Sequence, residues 1–169
     1  MTHSTPALVF MGVAGCGKST VATAVASALG RDWIEGDHFH SDASRQKMAQ
    51  GQPLTDADRA GWLAALADKL ASEPGVMLTC SALKRSYRDQ LRQAAPDLRF
   101  VFLDLDKSEA RRRIELRGGH FFPAHLIDSQ FNTLESPVGE AGVLRVDATR
   151  PLPELQAQIC HWLLQPLTP

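Results

Sequence analysis

Gly12-Val13-Ala14-Gly15-Cys16-Gly17-Lys18-Ser19 fits the spacing G-x-x-x-x-G-K-[ST] and lies between an apolar run, Ala7-Leu8-Val9-Phe10-Met11, and an Ala- and Val-rich stretch, Val21 to Leu29. Read together, the three pieces are strand, glycine-rich turn and helix. Glycines let the backbone curl until consecutive N–H groups face one anion, and the helix that follows adds the positive end of its dipole. The expected occupant is a nucleoside triphosphate, with ATP taken as the cofactor. Its phosphates rest on Gly12, Val13, Ala14, Gly15, Cys16, Gly17, Ser19 and Thr20. Lys18 reaches the β- and γ-phosphates, and the Ser19 hydroxyl binds Mg²⁺.

Working outward, Gly30 suits a helix end, and Trp33-Ile34 begins a short second strand. Helical stretches follow at about 44–50 and 56–71, divided by Gly51-Gln52-Pro53-Leu54, with Thr55 or Asp56 able to cap the second. Val76–Cys80, Phe100–Leu103 and Val143–Val146 read as further strands. Helices are expected at about 86–94, 108–116, 124–132 and 153–164. Five apolar strands alternating with helices predict an α/β fold: a five-stranded parallel sheet flanked by helices, with right-handed crossovers. Ligands of such sheets bind beyond the carboxyl ends of the strands. Trp62 with its neighbouring leucines, and Leu155, Ile159, Trp162 and Leu163 on the last helix, read as core.

The chain has 169 residues, with 18 Lys+Arg against 19 Asp+Glu and 44% hydrophobic residues. That length suits one domain over residues 1–169. A net charge of −1 speaks against nucleic-acid binding by bulk positive charge. The apolar runs fall far short of the roughly 20 residues that span a bilayer. Met1–Pro6 lacks the basic and apolar pattern of a secretory leader, so the expectation is a cytoplasmic protein without a membrane role. Cys16, Cys80 and Cys160 show no C-x-x-C spacing and read as reduced thiols.

A phosphate loop serves kinases, switch GTPases and motor ATPases alike. No Asn-Lys-x-Asp stretch is present to read guanine, and the third strand ends in Thr79-Cys80-Ser81, without the carboxylate of a conventional metal-binding strand. The second strand instead runs into Glu35-Gly36-Asp37-His38-Phe39-His40. A carboxylate there can accept a proton from a substrate hydroxyl or help hold a metal. A plain helix-capping Asp is the other reading. Asp37 is the candidate.

At these residues the chain closely resembles the short, phosphate-loop gluconate kinases. The shared stretches are Met11–Ser19; Gly36-Asp37 with His40; Lys47-Met48 with Gly51 and Pro53-Leu54; Asp56, Asp58-Arg59 and Trp62-Leu63; Cys80–Lys84 with Tyr87-Arg88-Asp89 and Leu91-Arg92; Gly119-His120-Phe121; and Gln130-Phe131 with Thr133-Leu134-Glu135 and Pro137. The family often has Pro and Asn where this chain has Ser41 and Ser44, which leaves substrate preference open. The resemblance implies phosphorylation of D-gluconate at its 6-hydroxyl by ATP with Mg²⁺. It also implies the fold of shikimate and nucleoside-monophosphate kinases, a homodimer, substrate-side helices at about 38–72 and a mobile lid at about 111–125. Another small-metabolite kinase, such as a shikimate kinase, and a nucleotide-binding module without transfer chemistry remain as alternatives.

Two basic runs carry the remaining candidates. Lys84, Arg88 and Arg92 share one helical face, which is either solvated or turned toward an anion. The Cys80–Lys84 context assigns Lys84 and Arg88 to the sugar-acid carboxylate and leaves Arg85 and Arg92 at the surface. Arg113 and Arg117 stand four apart and align with the lid arginines of related kinases, where a closing lid stabilises the γ-phosphoryl charge. Gly118-Gly119 is either their hinge or a helix end. His40, Arg59, His120 and Gln130 are substrate-side candidates by the resemblance, and Arg150-Pro151 resembles the stretch that lines adenine.

Overall fold

Four apolar residues in a row make β1 (Leu8–Met11) a strand with no exposed face. The computed structural model describes residues 5–118 and 123–167 and sets β1 at the centre of a five-stranded parallel sheet. In chain order the other elements are α1 (Lys18–Leu29), β2 (Trp33–Glu35), a 3-10 turn (Gly36–Phe39), α2 (Asp42–Ala49), α3 (Asp56–Ser72), β3 (Met77–Thr79), α4 (Arg85–Ala94), β4 (Arg99–Asp104), α5 (Lys107–Leu116), α6 (Ala124–Thr133), β5 (Val143–Asp147) and α7 (Leu152–Leu163). The strand order is β2-β3-β1-β4-β5, so all five strands and the parallel pairing expected from sequence are present. Phe10 pairs with Thr79 of β3 on one side and Val101 of β4 on the other.

Side chains alternate across a strand, so β1 feeds two cores. Leu8 and Phe10 pack with Val21 and Val25 of α1 and with Leu155 and Ile159 of α7. Val9 and Met11 pack on the opposite face with Trp62 and Leu66 of α3 and Leu91 of α4. The chain leaves β1 through α1 to β2 on one side, steps back to β3 beside β1, and crosses through α4 to β4 on the other side. The loop after β1 therefore opens at the switch point where ligands collect.

Boundaries follow local chemistry. α1 begins at Lys18 rather than near Val21, because the end of the phosphate loop is itself the first helical turn. Gly17 takes the left-handed conformation there, with φ 97°, and its carbonyl accepts from the Val21 N–H at 2.9 Å. Thr55, rather than Asp56, caps α3: its hydroxyl accepts from the Asp58 N–H at 3.1 Å while the Asp58 carboxylate accepts from the Thr55 N–H at 2.8 Å. The turn at Gly36 had no sequence signal beyond its glycine. A Cβ at Gly36 would lie 1.8 Å from the Thr79 carbonyl oxygen, so only glycine lets β2 end this close to β3.

The expected lid at about 111–125 includes the end of α5, Arg117 and Gly118, and the start of α6. His120 and Gly119 lie outside the described residues. Among the described residues no helix is long and apolar enough to cross a membrane.

Candidate active site

A cavity of about 640 Å³ opens at the carboxyl end of the sheet. Ala14, Gly15, Gly17, Lys18, Ser19 and Thr20 form its floor; Glu35, Asp37, His40, Arg59 and Trp62 form the wall toward α2 and α3; and Arg117, Ser129 and Gln130 close the side of α5 and α6. Strand ends and helix ends thus bring Lys18, Asp37, His40, Arg59 and Arg117 to one space.

The loop is held from both sides. The Gly12 N–H donates to Ser81 O at 3.3 Å, and Cys16 N–H returns to Val13 O at 3.2 Å. Lys18 Nζ donates to the Gly12 and Val13 carbonyls at 3.0 and 3.1 Å, so its ammonium sits inside the curl of the loop. Val13 and Cys16 are buried beneath it. Arg113 reaches the loop from behind: its guanidinium donates to Ala148 O at 2.8 Å, lies 3.4 Å from Cys16 O, and pairs with Glu109 at 3.1 Å. Hydrogen bonds from Arg112 and Arg113 hold the Glu109 carboxyl down at about 2. Arg113 therefore braces the loop and the turn after β5 from outside the cavity, while Arg117 lines it.

Glu35 is the residue that sequence reasoning left in the shadow of Asp37. Its carboxylate accepts from Ser19 Oγ at 2.5 Å and from the Thr79 hydroxyl, joining the ends of β2 and β3 to the start of α1. An acidic last residue on β2 was the available signal. Its orientation toward Ser19 is a tertiary fact. Asp37, one residue beyond Gly36, presents a mostly exposed carboxylate to the cavity, 3.8 Å from His40 Nε2. His40 is buried, stacks on Trp62 with ring centroids 4.2 Å apart, and leaves Nδ1 without a partner among the described residues. Burial pushes the imidazole pKa down, with Arg59 and Arg45 adding to the effect and Asp37 opposing it. Trp62 is core, as expected, but it also walls the cavity and donates from Nε1 to Gly36 O at 2.8 Å.

The cations assigned to the carboxylate divide. Arg59 lines the cavity and donates to the Tyr87 hydroxyl at 3.2 Å. Lys84 stands outside the wall and pairs with Asp56 at 3.0 Å, which raises its pKa. Arg88 does not reach the cavity at all. It has no exposed side-chain surface and donates to Glu140 at 3.1 and 2.7 Å, to Ala82 O at 2.7 Å and to Glu135 O at 2.9 Å. A fully buried guanidinium with four of its five N–H donors held by Glu140, Ala82 and Glu135 is a structural tie, so the substrate-side assignment of Arg88 is corrected. Arg92 joins the same cluster, 2.9 Å from Glu140, instead of lying free at the surface. Arg150 is exposed beside Glu154, and Pro151 precedes α7; neither lines the cavity.

The AAA domain family matches residues 8–137. The chain is 50% identical over 147 residues to the gluconokinase of Gluconobacter oxydans, covering 85% of this chain and 83% of that one. The chain belongs to the gluconokinase family. The thermoresistant gluconokinase of Escherichia coli is 41% identical, with 89% of each chain covered. The crystal structure of a gluconokinase from Sinorhizobium meliloti superposes with a TM-score of 0.88 at 46% identity, over 95% of this chain and 92% of that one. Within this gluconokinase family member, the loop, both β2-end carboxylates and Arg59 meet in one cavity, and the second basic run supplies one cavity residue, Arg117.

Proposed function

We propose that the protein transfers the γ-phosphoryl group of ATP to the 6-hydroxyl of D-gluconate. The observation that carries this reading is a single cavity with an anion-binding loop at one end, a free carboxylate beside it and a guanidinium opposite. Gluconate is an extended polyol acid, with a primary hydroxyl at one end and a carboxylate at the other. Arg59 binds the carboxylate, offering the two parallel donors that a carboxylate fits. His40, neutral and braced on Trp62, faces the hydroxyls between. Kinship to gluconokinases over most of the chain supports gluconate over shikimate as the acceptor.

Asp37 orients the 6-hydroxyl and takes its proton. The hydroxyl oxygen forms the new bond to the γ-phosphorus as the bond to the β–γ bridging oxygen breaks, and ADP leaves with that electron pair. In a loose transition state positioning and charge outweigh basicity, so Asp37 acts chiefly by alignment. Lys18 neutralises the phosphate oxygens, and Arg117 adds charge from the end of α5. Arg113 holds the loop and the turn after β5 in register.

The donor set at Ser19 and Glu35 fits Mg²⁺: a hydroxyl and a carboxylate 2.5 Å apart are hard oxygen ligands. Among the described residues no three His, Cys, Asp or Glu side chains gather into a cage. That suits an ion which takes one or two protein oxygens and completes its shell with phosphates and water. Ser19 and Glu35 would hold such an ion, which would neutralise phosphate charge when bound. The proposal extends to a homodimer, as the family resemblance implies, and to a cytoplasmic location, as expected from the composition.

A coupled ADP-release assay across sugar acids tests the reading. Turnover with gluconate is expected, and Arg59→Leu raises its KM on the order of 100-fold while the KM for ATP holds. No turnover with gluconate, beside turnover with shikimate or a nucleoside monophosphate, overturns it.

A further inference from the structure

α6 is pinned along its length. Ile127 enters the core, Asp128 pairs with Lys107 and Arg111 of α5 at 3.0 and 2.6 Å, and His125 meets the Gly51 carbonyl between α2 and α3. The same helix presents Gln130 to the cavity. Its Oε1 accepts from the Ala14 N–H of the phosphate loop at 2.6 Å, a contact between residues 116 apart in the chain. Only the amide oxygen can accept from an N–H, so this bond fixes which way the amide points. The –NH₂ group is left with no hydrogen bond among the described residues.

We infer that Gln130 is a further catalytic residue, anchored to Ala14 by its carbonyl and donating from its –NH₂ to the oxygens of the transferring γ-phosphoryl. The inference rests on the reading above that Lys18 and Asp37 flank that group, since Gln130 lines the same cavity at the loop's crest. An anchored neutral dipole has a distinct use. A further cation would add its full charge to the bound ground state, whereas a fixed neutral N–H donor strengthens as charge grows on the γ-phosphoryl during transfer and needs no reorganisation. A rigid helix, rather than a loop, supplies the precision this requires. Gln130 takes no proton and forms no covalent bond in the step.

Two substitutions separate donor from anchor. Gln130→Met removes both functions at similar volume. Gln130→Glu keeps an oxygen for the Ala14 N–H and removes the donors. Both variants are expected to lose kcat on the order of 100-fold, with Gln130→Glu no better than Gln130→Met. In Gln130→Met, calorimetry with ADP and a non-hydrolysable ATP analogue should show ADP affinity within about threefold of the parent and the analogue weakened further. If Gln130→Glu recovers kcat above Gln130→Met, or if ADP and the analogue weaken equally in Gln130→Met, Gln130 only shapes the loop and the inference fails. The calorimetry needs no acceptor, so a parent enzyme inactive on gluconate would refute the proposed substrate while leaving this readout intact.

Discussion

Glu140→Ala takes the counter-ion from a guanidinium with no exposed side-chain surface. Arg88 keeps its donors to the Ala82 and Glu135 carbonyls but loses two charge-assisted hydrogen bonds, at 3.1 and 2.7 Å. Burial by itself would raise the Glu140 pKa; hydrogen bonds from Arg88 and Arg92 outweigh it and hold the carboxylate below its usual range. Removing one partner of a buried pair costs about 3–5 kcal/mol, because the remaining charge stays desolvated. A shallow groove beside Arg88, lined by Glu135, Ser136 and Gly139, admits water and favours the lower end of that range. For a chain of this length 1 kcal/mol moves Tm by about 2–4 °C, so Tm should fall by about 6–12 °C. Thermal melts and steady-state kinetics, run where parent and variant are both folded, form the assay. Because the pair does not reach the cavity, kcat and the KM for gluconate should stay within about twofold. A variant that melts within about 1 °C of the parent, or one whose gluconate KM rises at unchanged Tm, would refute the reasoning and return Arg88 to the substrate.

Glu35→Gln keeps an acceptor for Ser19 but removes the charge; the Mg²⁺ concentration for half-maximal rate should rise on the order of tenfold, and an unchanged Mg²⁺ dependence would take Glu35 off the metal side. Hydrogen bonds from Lys47 and from Thr55 hold Asp58 at about 2 against an ordinary 3.8, and those from Arg112 and Arg113 hold Glu109 at about 2 against 4.5. A depressed folded-state pKa gives stability that is complete above the ordinary value and lost as pH falls through the folded one. Urea midpoints should therefore drop between about pH 4.5 and 2, and a slope over that window unaltered in Asp58→Asn with Glu109→Gln would disprove the assignment.

The sheet was legible because a strand buried on both faces has no polar alternation, and Leu8–Met11 and Phe100–Leu103 are such runs. Helix ends were legible where the cap is local, as at Thr55 and Gly30. The Gly36–Phe39 turn escaped because it depends on how closely Thr79 approaches from β3. The basic run after β3 shows the limit most clearly. Helical spacing correctly put Arg88 and Arg92 on one face, yet what that face meets is Glu140, 52 residues beyond Arg88, in a stretch with no periodic signal. Glu35 escaped similarly: its partners Ser19 and Thr79 come from two other elements. Spacing along one element reports which residues share a face, and it is silent on what that face touches.

Trp62 offers a use apart from stability. The chain has three tryptophans, and among them Trp62 alone lines the cavity, its indole N–H on Gly36 and its ring against His40. Indole emission depends on the polarity and hydration of its surroundings, so a ligand that displaces water from this wall alters the spectrum of an intrinsic chromophore. With Trp33 and Trp162 replaced by phenylalanine, acceptor binding becomes an optical signal free of any coupling enzyme, and the order in which nucleotide and acceptor load can be followed in real time.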